Sequence, residues 1–268
     1  MKLKKISALV IVLLSTYSNA TDNPKAVRDM LFKFNLINKS HRIFHHNILK
    51  DIDINKASYE KIPALALCSI KKTNASSKSD REFFIKSIAA TVKYVNNIIL
   101  EHREFILSVQ SKKKNNILLS ENEKKKFSII CSFYRSNNIT ELLERVAPVP
   151  NSLAVAQAIL ESGFGSYDFM RNRNAFFGMM RDSEHLCSFD TLLESVVAYT
   201  KTLNVNICYK QFRKERASLI SRTQKIDGVR LSKFLGKYSV SRAYNQKVLT
   251  LIKEHNLTKL DQSCSRVF

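Results

Sequence analysis

Glycine and proline are scarce, with five and four in 268 residues. So few chain breakers leave long stretches free to coil, and the many lysines, leucines, isoleucines and serines favour a mostly helical chain. The same scarcity leaves no glycine-rich loop of the kind that cradles phosphate. Cysteine is sparse and badly spaced. Cys68, Cys131, Cys187, Cys208 and Cys264 are an odd set with wide gaps and no CxxC pair, which argues against a structural zinc site. Export permits a disulfide, but spacing does not choose the pair, and buried free thiols fit the residues equally. His41, His45 and His46 lack the HExxH arrangement and read as a polar patch. No metal and no cofactor is called for.

Acidic residues are the minority, 23 against 44 lysines and arginines, for a formal charge of +21. The excess is shared by both halves of the chain instead of forming one tail. Such a field favours polyanionic surfaces. For a cytosolic protein that means nucleic acid. For an exported one it means anionic envelope polymers or membrane surfaces, and export is what the first residues suggest.

"MKLKKISALVIVLLSTYSNA" has the parts of a secretory signal. Lys2, Lys4 and Lys5 form a charged start, Ile6–Leu14 a short apolar run, and Ser18-Asn19-Ala20 a small-residue cleavage site before Thr21. The apolar run is short for a membrane span, which needs about 20 residues. An uncleaved anchor is the competing reading. Without the three lysines the charge is +18. No other stretch reads as long and apolar enough to cross a membrane. The expectation is therefore a signal peptide over 1–20 and an exported, periplasmic or envelope-associated mature chain without a transmembrane span.

The rest divides near "APVPNS", which holds two of the four prolines. Before it lies an N-terminal helical region, 21–146. Within that region 24–55 alternates at helical spacing. Residues 81–111 form one long amphipathic stretch carrying Phe84, Ile88, Val92, Val95, Ile99 and Ile106. Ser120 and Glu123 stand at capping-box spacing before a second helix, and "NITELLERV" makes a third. After the prolines, helices are expected at 152–162, within "YDFMRNRNAFFG", and near 191–205, 209–222, 229–236 and 241–256, with Asn256 as a stop. Strand content should be limited to a small hairpin around 178–189, and 258–268 reads as a tail.

The chemistry concentrates at "AILESGFGSYDF". An apolar helix ends on Glu161 and meets two of the five glycines, Gly163 and Gly165. On a helix Glu161 stands over Ala154, Gln157 and Ala158, which leave room beside it. The negative end of the helix dipole opposes its ionisation and raises its pKa. A carboxyl with a raised pKa in a cleft is what a general acid requires.

"LAVAQAILESGFGSYDFMRNRNAFFGM" resembles the glucosaminidase domain of bacterial peptidoglycan hydrolases, glycoside hydrolase family 73, whose pattern is roughly "LAQAALESGWG", a gap, then "NNLFG". Ala156-Gln157-Ala158 and Leu160-Glu161-Ser162-Gly163 match, Phe164 replaces the usual Trp, and Gly165, Asn174, Phe177 and Gly178 are kept. Downstream, Phe189, Asp190, Ser195 and Tyr199 match a helix of the family, and Tyr238, Tyr244 and Lys247 match its closing segment. Residues 60–146 are similar to the N-terminal helical region of the bacterial Bax-like proteins, which share this domain.

The resemblance implies a mainly α, lysozyme-like glucosaminidase domain over 147–257 with a short β-hairpin lobe. It implies hydrolysis of the β-1,4 bond after N-acetylglucosamine in peptidoglycan glycan strands, with Glu161 as general acid. Tyr238 and Glu184 become candidate catalytic partners, Glu184 as the second carboxylate. Gln157, Ser162, Asn174, Phe177 and Tyr244 become candidates for substrate binding. Asp190 reads as a helix N-cap. If no second carboxylate reaches the site, the substrate's own N-acetyl group is the nucleophile. The competing functions are a lytic transglycosylase or muramidase, whose "GLMQ"-type motif is replaced here by "NAFFGMM", and a catalytically inactive wall-binding protein.

Overall fold

The computed structural model describes residues 73–264, apart from 183, 224 and 242. The expected signal segment 1–20, the helix at 24–55, the three histidines at 41–46 and Cys68 lie outside the described residues.

Helix α1 (Lys78–Lys114) contains no glycine or proline, and this lets it run for 37 residues. Ser77 caps its start by accepting from the Asp80 N–H. Helix α2 (Glu121–Tyr134) opens on the expected capping box, with Ser120 and Glu123 bonding each other's backbone N–H. Then come α3 (Ile139–Arg145), α4 (Asn151–Ser162), the single turn α5 (Asp168–Arg171) and α6 (Leu192–Val205). A 3-10 turn, Ile207–Tyr209, leads into α7 (Lys210–Thr223), followed by α8 (Gly228–Ser232), α9 (Tyr244–Glu254) and a 3-10 segment, Leu257–Cys264. The mainly helical class is as expected.

The hairpin is not. Its two arms meet in one antiparallel bridge, Met180 to Leu186, and among the described residues no strand extends it. Asp182 organises the loop instead, accepting from the backbone of Glu184 and His185. Helix α6 starts one residue later than expected. Thr191 is its N-cap, accepting from the Glu194 N–H, and the Glu194 carboxylate reaches back to the Asp190 N–H. Asn256 ends α9 as expected, with its backbone in the left-handed region at φ 49°.

Helix α4 lies at the centre, packed by α1, α8, α9 and the final 3-10 segment. One hydrophobic core joins Phe84, Ile88 and Val92 of α1 to Leu153, Val155 and Ile159 of α4 and to Val248 and Ile252 of α9. The core thus runs straight across the proline-marked boundary near 147–150. Asn96 of α1 clasps that crossing, donating to the Val149 carbonyl and accepting from the Val149 N–H. Contrary to the expectation for the mature chain, α1 does have the length and apolar content of a membrane span. However, 67% of its most apolar window is buried inside the molecule, which makes it the core helix of this fold.

Arginines stitch the helix ends. Arg216 is wholly buried and donates to the carbonyls of Glu144, Pro148 and Arg145 and to Asn204 Oδ1. Arg103 donates to the carbonyls of Leu143 and Val146, and Arg213 to those of Leu203 and Asn206. These guanidinium groups satisfy the open carbonyls at the C-termini of α3 and α6, where the helix dipole favours a cation.

Candidate active site

Helix α4 has Pro150 at its N-cap and no capping side chain of its own. The cap comes from the far end of the chain. Asp261 accepts from the Ser152 N–H at 2.9 Å and from the Ser152 hydroxyl at 2.6 Å. At its other end α4 stops on Gly163, left-handed at φ 55°. The Ser162 hydroxyl donates to the Ala158 carbonyl and accepts from the Gly165 N–H, which bends the chain away sharply. Phe84 packs where a side chain on Gly165 would sit, and Phe164 sets its ring edge-on to Phe84 and to His255.

This turn leaves Glu161 half-buried on the last turn of α4. Its two carboxyl oxygens have different neighbours. Oε1 accepts from the Tyr244 hydroxyl at 2.9 Å. Oε2 lies against Gly178, where a Cβ would come within 2.6 Å of it. Gly178 is left-handed at φ 63°, so both conformation and space call for glycine.

Behind Tyr244 runs a buried relay. Gln157 Nε2 donates to the Tyr244 oxygen at 2.9 Å, and the Tyr199 hydroxyl donates to Gln157 Oε1 at 2.8 Å. The polarity follows from donor counting. Turning the Gln157 amide over would make the Tyr199 oxygen an acceptor and leave its buried proton without an acceptor among the described residues. With the amide fixed, Gln157 donates to Tyr244, and the Tyr244 proton is left for Glu161. An acid proton on Glu161 therefore belongs on Oε2, the oxygen beside Gly178.

Burial raises the Glu161 pKa to about 7, and the Tyr244 hydrogen bond opposes the rise. The direction agrees with expectation. The main cause, desolvation, was not part of the helix-dipole argument. Tyr238 stacks on Tyr244 with centroids 5.5 Å apart and donates its hydroxyl to the Phe177 carbonyl at 2.8 Å. Burial and the nearby Glu161 push both tyrosine hydroxyls well above their usual pKa, so they act as proton-bearing donors.

The structure brings Glu161, Tyr244, Gln157 and Tyr238 together. It gives other expected residues different places. Phe177 is fully buried and stacks on Tyr199 at 4.1 Å, so its ring braces the 174–178 loop and presents no face to a substrate. Asn174 is buried and left-handed, and its amide donates to the Phe189 carbonyl. Ser162 and Gln157 are also buried and bonded to protein groups. Glu184 stands exposed in the 181–186 loop, and among the described residues no hydrogen bond joins it to the Glu161 cluster. Gly178 and Tyr199 are the members that residue-by-residue reasoning passed over. Both lie in motif matches, but nothing in local spacing says that they meet Glu161 and Gln157.

Residues 137–257 match the family model described as glucosaminidase, mannosyl-glycoprotein endo-β-N-acetylglucosaminidase. The chain carries a glucosaminidase domain. That domain supports a glycoside hydrolase. It begins ahead of the prolines and so takes in α3. The chain is also similar to Protein bax of Escherichia coli (strain K12), 27% identical over 195 residues that span 65% of this chain and 69% of that protein. No solved structure matches the chain. The Glu161 cluster lies wholly inside the glucosaminidase domain.

Proposed function

We propose that this domain is a lysozyme-like peptidoglycan hydrolase that cleaves the β-1,4 bond after N-acetylglucosamine, with Glu161 as general acid. The observation that carries the reading is the split environment of the Glu161 carboxyl. One oxygen is held by Tyr244, and the other, Oε2, lies against Gly178 with no hydrogen-bond partner among the described residues. A pKa of about 7 keeps much of the acid protonated near neutrality.

In this mechanism the Oε2 proton passes to the leaving glycosidic oxygen as the bond from the anomeric carbon breaks. The Tyr244 hydroxyl stabilises the carboxylate that remains. Glu184, the expected second carboxylate, stands exposed and makes no hydrogen bond to the Glu161 cluster among the described residues. This favours attack on the anomeric carbon by the carbonyl oxygen of the substrate's own N-acetyl group. Water, deprotonated by the Glu161 carboxylate, then opens that intermediate and restores the acid. Such a substrate fits an exported, envelope-associated protein, and export by the 1–20 segment is part of the proposal.

Mass analysis of fragments released from purified peptidoglycan tests the bond choice. New reducing ends should be N-acetylglucosamine. Ends of 1,6-anhydro-muramic acid would identify a transglycosylase instead. Glu161→Gln keeps shape but removes the transferable proton, and turnover should fall at least about a hundredfold. A folded Glu161→Gln protein with near wild-type turnover would sink the mechanism.

A further inference from the structure

Far from Glu161, the turn between α1 and α2 carries two lysine triplets, Lys112–Lys114 and Lys124–Lys126. Three contacts show that the triplets lie side by side. Lys112 pairs with Glu123 at 2.5 Å, Lys113 lies over the Phe127 ring, and Lys126 lies over the Phe105 ring. The two local carboxylates, Glu121 and Glu123, are taken by Lys124 and Lys112. Lys113, Lys114, Lys125 and Lys126 are exposed and form no ion pair among the described residues.

At the apex of this basic tip stand Ile117 and Leu118, 54% and 91% exposed. The turn that presents them is hydrogen-bonded. Asn115 N–H donates to the Ser111 carbonyl and Ile117 N–H to the Lys112 carbonyl, with Asn116 left-handed at φ 54°. At this position after a helix an apolar residue commonly folds back on the last turn. Ile117 stays more than half in water instead.

We propose that the α1–α2 tip is a docking surface for an anionic phospholipid bilayer, with Ile117 and Leu118 entering the interface and the lysines facing the headgroups. Basic residues alone would suit any polyanion. A hydrated anionic polymer, however, gains nothing from two aliphatic side chains at the apex, whereas the boundary of the acyl region accepts them. Lysine is depleted in protein–protein interfaces, and here the apolar apex is narrow and ringed by lysines. The tip is independent of the hydrolase reading. Phe84, beside the Glu161 turn, is 30 residues from Lys114 along α1. At 1.5 Å per residue the helix separates tip and turn by roughly 45 Å. Tip and turn are therefore separate places on the molecule.

The chain has no tryptophan, so Leu118→Trp in the full-length protein places a single indole at the apex. With vesicles of equal phosphatidylcholine and phosphatidylglycerol its emission should shift to the blue and be quenched by brominated acyl chains. Phosphatidylcholine vesicles alone should leave it unchanged, and added salt should reverse the shift. In sedimentation against the mixed vesicles, replacing Lys124, Lys125 and Lys126 by glutamine should weaken binding about a hundredfold, at about fivefold per lysine. Leu118→Ser should weaken it at least about tenfold. Circular dichroism should be unchanged in each, since these side chains are exposed. Sedimentation with unshifted emission would mean that another part of the chain binds. An equal shift on neutral vesicles, or tight binding by Leu118→Ser, would remove the charge or the insertion. Any of the three overturns the proposal.

Discussion

Glu161 lies at the C-terminus of α4, where the dipole disfavours a carboxylate, yet burial is the larger cause of its pKa of about 7. The Tyr244 hydrogen bond opposes the rise, its proton directed to Oε1 by Gln157 and Tyr199. General-acid turnover should therefore decline as pH rises through the Glu161 pKa, by about tenfold per unit beyond it. Tyr244→Phe removes the bond that favours the carboxylate, so the alkaline limb of the kcat profile should move to higher pH. Tyr199→Phe frees the Gln157 amide to turn and should move the same limb in the same direction by less. Loss of melting temperature in either variant with the limb unmoved would reduce the relay to packing.

The ends of α4 matter as much as its side chains. The 258–268 stretch reads as a tail, but part of it folds into the Leu257–Cys264 3-10 segment and sets Asp261 on the first turn of α4. Burial raises the Asp261 pKa to about 6, while its hydrogen bonds from Ser152 and Gly228 favour the charged form. Asp261→Ala should cost about 1–2 kcal/mol in urea unfolding, the usual loss of a helix cap. Wild-type stability in Asp261→Ala would show that the cap is dispensable. The capping box of α2 and the Thr191 cap of α6 are of the local kind, and sequence spacing came within one residue of both.

Across the whole molecule, part of the basic excess is internal. Arg216, Arg213 and Arg103 spend their charge on helix-end carbonyls, so the +21 total overstates the field at the surface. Burial and the neighbouring Arg213 and Arg103 lower the Arg216 pKa to about 9. Arg216→Ala would leave the carbonyls of Glu144 and Pro148 buried without this donor, and a cavity between α3, α6 and α7. A loss of roughly 3–5 kcal/mol is expected in denaturant unfolding. Arg216→Lys should recover little, because a single ammonium cannot span the same acceptors. Full stability in Arg216→Lys would show that charge alone suffices there.

By itself the sequence determined the helical class, most helix positions, the capping box of α2, Glu161 as the candidate acid and the glucosaminidase motifs. Each depends on periodicity or on residues within a few positions of one another, which is the range that local sterics and hydrogen bonding control. Tertiary structure alone decided that the core crosses the proline boundary and that the hairpin shrinks to one bridge. It also decided that Phe177 and Asn174 brace a loop, that Glu184 faces solvent, and that Gly178 and the Tyr244–Gln157–Tyr199 relay surround the Glu161 carboxyl. The relay joins groups 42, 83 and 87 residues apart in the chain. Contacts of that separation form only when desolvation and packing have brought the helices together. Those contacts set the surroundings of the Glu161 carboxyl, so they became legible only in the folded chain.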